Sequence, residues 1–123
     1  MADNKTFKIK TSEGGDVLVS DEVVAIIAGL AATEVEGVSS MAGNLTNEII
    51  SKLGMKNLSK GISVEIMNNA VKVEMAINIA YNYSIPEVCS KVQEKAKTAI
   101  QNMTGVPVAA VNVRVASVDM GDN

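Results

Sequence analysis

Few side chains in this sequence of 123 residues combine the type and the spacing that catalysis requires. Glu34 and Glu36 lie two residues apart and could act as a general acid and a general base. Closely spaced acidic residues on an acidic protein are, however, usually solvated. Cys89 is the sole cysteine, and its place on a predicted helix favours semi-buried packing over a nucleophilic role. We therefore expect no catalytic residue.

The absence of histidine from the sequence excludes several familiar kinds of site. Ser-His and Cys-His catalysis, the usual general base near neutral pH and the commonest zinc ligand all require imidazole. A single cysteine also excludes an intramolecular disulfide and a thiolate metal cluster. The glycines at positions 14, 15, 54 and 61 lack the fixed spacing of a nucleotide-binding loop. The sequence thus predicts a protein that is not an enzyme and that holds no metal or cofactor.

The net charge of −3 argues against a nucleic-acid partner, because phosphate binding requires clustered Lys and Arg. A KH-type RNA module would need a GXXG loop flanked by positive charge, and the sequence has none. Lys91, Lys95 and Lys97 are interleaved with Glu94, which is typical of a solvated helix face. The first ten residues are polar and no apolar run is long enough to span a membrane. We expect a cytoplasmic protein without direct membrane insertion.

Two main helices are predicted from apolar spacing and capping residues. Ser20 is a natural N-cap, and apolar side chains then recur at helical spacing until Gly37 ends the helix. Ser84 forms a capping box with Glu87 and begins a second, longer helix. Gly105 is expected to stop that helix.

The clearest local prediction is a β-hairpin from Ile62 to Tyr83 with its turn at Asn68-Asn69. This register stacks three apolar pairs on one side of the hairpin: Ile66 with Val71, Val64 with Val73, and Ile62 with Met75. Glu65 faces Lys72 on the other side. The second strand continues beyond its partner, so we expect it to pair with another element as well.

The predicted elements follow the order β-α-β-β-α-β. Extended segments are expected near residues 7–9, 17–19 and 111–115, and a short extended piece at 38–41 precedes a brief helix around 45–53. This order predicts an α+β fold, a mostly antiparallel sheet with both main helices packed on one face. One domain is expected to span residues 1–123, with an ordered core of about 6–118 and short polar termini.

The sheet face opposite the helices is the predicted partner-binding surface. Small alanines let another backbone approach closely, amides hydrogen-bond in several ways, and Arg is favoured at interfaces. An ordinary solvated sheet face is the alternative, and segment 38–60 is the next candidate for docking. The predicted surface comprises Ala76, Asn78, Ala80, Asn82, Asn112 and Arg114.

Several blocks along the chain, taken in order, resemble the alkaline shock protein family, the envelope stress response proteins of Gram-positive bacteria. The resemblance spans about residues 6–118. The blocks lie at residues 16–24, 29–38, 60–65 and 84–88, with shorter matches at 92–93, 103–105 and 111–113.

The resemblance implies a cytoplasmic, non-enzymatic protein of cell-envelope homeostasis and of the alkaline or general stress response. Such proteins self-associate, bind other proteins and, in some members, are held at the membrane by an anchored partner. No catalytic residue comes with the family. Two alternatives remain open from the sequence: a cytosolic regulatory subunit that modulates a metabolic enzyme, and an RNA-binding module.

Overall fold

The computed structural model of the chain describes residues 6–10, 16–41, 61–67 and 69–120. The predicted helix around 45–53 lies outside these residues. Within them, six strands and two helices occur in the order β1 (Thr6–Lys10), β2 (Asp16–Ser20), α1 (Asp21–Thr33), β3 (Val38–Met41), β4 (Ile62–Met67), β5 (Ala70–Ala80), α2 (Ile85–Thr104) and β6 (Val108–Asp119).

Helix α1 begins as predicted, because the side chain of Ser20 accepts a hydrogen bond from the backbone N–H of Val23 at 3.2 Å. It ends at Thr33 rather than at Gly37, and in this respect the prediction was wrong. The backbone N–H groups of Glu34 and Val35 reach back only three residues, to the carbonyls of Ala31 and Ala32. These tighter bonds close the last turn and release the chain before Gly37.

Helix α2 begins and ends where the sequence predicts. Ser84 caps its first turn by accepting from the Glu87 N–H. Gly105 ends it in the left-handed conformation at φ 76°, which a residue without a side chain adopts at little cost. The buried stripe of α2 comprises Val88, Val92, Ala96 and Ile100.

The predicted hairpin register between β4 and β5 is confirmed. Val64 lies opposite Val73, Glu65 opposite Lys72, and the other two predicted apolar pairs also form. Met67 pairs with Ala70, which agrees with the predicted position of the turn. Asn68 itself lies outside the described residues.

Strand β5 is the centre of the main sheet. Its first half pairs with β4 and its second half with β3, both antiparallel and along the same edge. Its other edge pairs with β6 over almost its full length, in parallel. The parallel pairing follows from the α2 crossover, which returns the chain to the starting end of β5. The expectation that β5 extends to a further partner is therefore confirmed.

Both helices pack on one face of this sheet and enclose the core. Alternate residues of β5 point towards them, and Val71, Val73, Ile77 and Ile79 are fully buried there. The predicted α+β class and the order of its elements are confirmed, and the extended pieces predicted near 17–19 and at 38–41 are strands β2 and β3. The sheet is mostly antiparallel, and β5 with β6 is its parallel pair.

Candidate functional site

The sheet surface opposite the helices, here called the outer face, carries most of the predicted docking residues. Lys72, Glu74, Ala76, Asn78 and Ala80 alternate with the core residues of β5, so they share this face. The parallel register extends the face onto β6, because Asn112 lies beside Glu74 and Arg114 beside Ala76. Asn82 lies apart, in the turn after β5, with a positive φ of 79°.

The predicted residues differ in how much surface they offer. Ala76 is only 4% exposed although it lies on the outer face. Asn78 and Ala80 are half-buried, whereas Asn82, Asn112 and Arg114 are exposed. A partner on this face would therefore contact β6 and the turn after β5 more than the middle of β5.

A shallow depression of about 520 Å³ lies on the outer face around Ala76. Gly61 and Ser63 of the β4 side border it, and Glu74, Asn112 and Arg114 border it from the other strands. The Glu74 carboxylate lies 3.7 Å from the Lys72 ammonium group. Arg114 has no ion pair or hydrogen bond within the described part of the chain. The depression thus offers one uncompensated guanidinium group beside small side chains.

Asn78 ties three strands together at the centre of the outer face. Its side-chain N–H donates to Ser40 Oγ on β3 at 2.9 Å, and its Oδ1 accepts from Ser117 Oγ on β6 at 2.8 Å. Its backbone carbonyl accepts from Ser39 Oγ at 3.2 Å. The amide is consequently engaged within the sheet rather than available to a partner. Ser39, Ser40 and Ser117 are not among the residues predicted for this surface.

The two carboxylates considered for acid-base chemistry each have another partner. Glu34 lies 3.5 Å from the Lys95 ammonium group, and Glu36 accepts a hydrogen bond from the Tyr83 hydroxyl at 3.2 Å. This hydrogen bond, with the nearby negative charge, raises the pKa of Tyr83 above its ordinary value. The pair is thus held by ionic and hydrogen-bond contacts at the surface.

Cys89 is half-buried on α2, as the sequence predicts. Burial raises the pKa of its thiol, which disfavours the reactive thiolate. In the described segments, no group of three His, Cys, Asp or Glu residues is placed to hold a metal ion. None of the helices within those segments is long and apolar enough to cross a membrane.

The sequence matches one protein family and is similar to several known proteins. Residues 9–120 match the alkaline shock protein 23 family, which is described by a cell envelope-related function. The sequence is 30% identical over 120 residues to the uncharacterized protein YqhY of Bacillus subtilis (strain 168), covering 96% of this chain and 89% of that protein. It is 26% identical to a stress response regulator gls24 homolog of Streptococcus pyogenes serotype M3 (strain MGAS315), covering 85% of this chain and 59% of that protein.

A solved structure shares the fold. The structure of MamM CTD in its copper form superposes with a TM-score of 0.50 at 14% sequence identity. The match covers 84% of this chain and 91% of that chain. At this identity the likeness concerns the fold alone.

Proposed function

The chain belongs to the alkaline shock protein 23 family, and on that premise we propose that it is a non-enzymatic scaffold that binds other proteins in the cell-envelope stress response. The family match bears out the resemblance to alkaline shock proteins, and the gls24 homolog among its relatives is named a stress response regulator. Together, the family and this relative support a role related to the cell envelope and to stress. Scaffolding is the specific activity proposed for this chain.

The observation that carries the proposal is the outer face with its uncompensated Arg114. The Asn78 hydrogen bonds to Ser40 and Ser117 fix three strands relative to one another, so a partner meets a preorganised surface. Exposed Asn112 and Arg114 border the depression around Ala76. Arg in a depression among small residues is the type of group that interfaces favour.

The proposed partners are further copies of the chain and other proteins, including a membrane-anchored member of the same family. In this scheme the chain resides in the cytoplasm and reaches the envelope through that anchored partner. Neither nucleic acid nor the lipid bilayer is a proposed partner. The acidic net charge of −3 supports this choice.

Replacing Ala80 with Arg tests the docking role of the outer face. Ala80 is half-buried on that face, so a long charged side chain would obstruct a partner without entering the core. Ser90→Arg on the exposed side of α2 is the matched control. We expect Ala80→Arg to abolish assembly in analytical ultracentrifugation and Ser90→Arg to leave it intact, with the melting temperature of both near that of the parent.

An affinity pull-down from native cells under alkaline challenge tests the scaffold role itself. We expect envelope-associated proteins, including an anchored family member, to be captured by the parent and lost with Ala80→Arg. Co-sedimentation with membranes in cell fractionation should follow the same pattern. If the parent instead travels with one soluble metabolic enzyme or with RNA, the scaffold proposal is wrong.

A further inference from the structure

Strand β6 forms one border of the main sheet. All its strand pairing within the described residues is with β5, so its other edge has no strand partner there. It is the longest described strand, with 12 residues, and it carries neither Lys nor Pro, the residues that commonly block such an edge. A second strand could therefore add to it.

Hydrogen bonds of the backbone identify which residues of β6 direct their N–H and C=O groups to the free edge. The Asp119 carbonyl accepts from the Tyr81 N–H and is therefore directed to the β5 side. The Val111 carbonyl instead accepts from the Gln93 side chain of α2 at 2.9 Å, so it is directed outwards. The backbone groups of successive residues alternate between the two edges of a strand, so those of Val113 and Val115 are also directed outwards. After the register shift near position 116, the backbone groups of Val118 are directed outwards as well. Gln93 covers only the first of these positions.

The same end of β6 exposes apolar side chains. Val118 is 41% and Met120 66% exposed. Val115 and Val118 lie on the helix side, because they pair with the core residues Ile77 and Ile79. A neighbouring strand along this edge would cover them.

Two residues of opposite charge lie on the outer face of the same part of β6. Arg114 pairs with Ala76 and Asp119 with Ala80, and both alanines lie on the outer side of β5. The register shift between Ile77 and Asn78 brings Asp119 onto the same face as Arg114. Both residues are exposed.

We propose that two copies of the chain pair through the free edges of β6, antiparallel and about a two-fold axis between Ala116 and Ser117. In this register Val115 of each copy lies opposite Val118 of the other, and both residues direct their backbone groups to the interface. Arg114 lies opposite Asp119 of the other copy, which forms two ion pairs on the outer face. The inference rests on the proposed self-association and extends its contact surface from the outer face to the adjoining edge of β6, since Arg114 and Asp119 belong to both.

Charge distinguishes this register from its nearest competitor. A two-fold axis at Arg114 would place Val113 of one copy opposite Val115 of the other. The backbone groups of both residues are directed outwards, so this register could also form hydrogen bonds. It would, however, set the two Arg114 side chains against each other, which destabilises a strand pair. The axis between Ala116 and Ser117 is therefore favoured.

Charge reversal followed by mixing tests the proposal. Arg114→Asp alone sets two acidic residues opposite each other, and Asp119→Arg alone sets two arginines opposite each other. We expect each variant to self-associate at least about tenfold more weakly than the parent in sedimentation velocity. An equimolar mixture should associate to within about threefold of the parent, because every pair in the mixed dimer joins opposite charges. Circular dichroism of each variant reports that the fold is retained.

The outcomes separate this inference from the broader proposal. Weak association of both variants with recovery in the mixture supports pairing through β6. If the parent associates and both variants associate equally well, the β6 inference is overturned while self-association stands. A parent that remains monomeric at all accessible concentrations overturns both. A loss in the single variants without recovery in the mixture also overturns the proposed register.

Discussion

Gly37 lies against the ring of Tyr83. A β-carbon added at Gly37 would come within 2.9 Å of Tyr83 Cδ2 and 2.7 Å of Val88 Cγ2, both closer than van der Waals contact allows. The backbone of Gly37 also has φ 103°, a conformation that other residues rarely adopt. Its carbonyl accepts a hydrogen bond from the Ala80 N–H at 2.8 Å. One glycine thus joins the start of β3, the end of β5 and the start of α2.

Gly37→Ala is expected to lower the free energy of unfolding by about 3 kcal/mol, because steric overlap adds to backbone strain. Gly105→Ala is the matched control. Gly105 also has a positive φ, but an added β-carbon would meet no atom within 4 Å, so only the strain of about 1 kcal/mol should remain. Urea unfolding measures both. Equal losses in the two variants would contradict the packing role of Gly37.

Val73→Lys is expected to reduce the free energy of unfolding by about 3 to 5 kcal/mol, since Val73 is fully buried and lysine would bring a charge into the core. Ser63→Lys on the adjacent strand is the control, because Ser63 is exposed on the outer face. That substitution should change the unfolding free energy by less than about 0.5 kcal/mol. An unchanged melting temperature for Val73→Lys would refute the placement of this side chain.

Asn78→Ala and Ser117→Ala are expected to be non-additive in a double-mutant cycle. The two side chains share a 2.8 Å hydrogen bond, and Asn78 also binds Ser40. Asn78→Ala should cost about 2 kcal/mol and Ser117→Ala about 1 kcal/mol. The double variant should lose less than the sum of the two. Strict additivity would mean that the hydrogen bond contributes nothing to stability.

Tyr83 is expected to titrate at a higher pH than an unperturbed tyrosine, because its neutral hydroxyl donates to Glu36 and the tyrosinate would face a carboxylate. The sequence has only two tyrosines, so ultraviolet absorbance can follow both. Glu36→Gln should move the Tyr83 transition to lower pH, and Tyr83→Phe should remove it. A titration curve that Glu36→Gln leaves unchanged would contradict the contact.

The sign of the pH effect on stability follows from the raised pKa of Tyr83. The hydrogen bond to Glu36 stabilises the fold fully below the unfolded-state pKa of about 10. This contribution is lost as the pH rises through the higher pKa of the folded state. Stability near neutral pH should therefore be insensitive to the ionisation of Tyr83.

The hairpin register could be predicted from the sequence because two local signals agree. Alternating apolar residues fix which side of β4 and β5 is buried, and the Asn turn fixes the alignment. The sharing of one face by Ala76, Asn78 and Ala80 follows from the same alternation. These properties depend on residues close together in the chain.

Other features depend on contacts that the sequence pattern does not specify. The parallel alignment of β6 includes two register shifts, near positions 109 and 116, and these decide which residues lie beside Ala76 and Asn78. The hydrogen bonds of Asn78 require three strands to be aligned at once. The near-complete burial of Ala76 likewise depends on its neighbours rather than on its own side chain. The alternation of apolar residues along a strand predicts neither the register shifts, nor the hydrogen bonds of Asn78, nor the burial of Ala76.

The central position of β5 has a consequence for the order of folding. The β4–β5 hairpin begins with the pair Met67 and Ala70, three positions apart, whereas the contacts of Asn78 with Ser39 and with Ser117 each join residues 39 positions apart. Loop closure is faster for the local contact, so the hairpin is expected to form first and to serve as the template on which β3 and β6 assemble. In stopped-flow kinetics, Val64→Ala should then mainly slow refolding, whereas Ser117→Ala should mainly accelerate unfolding.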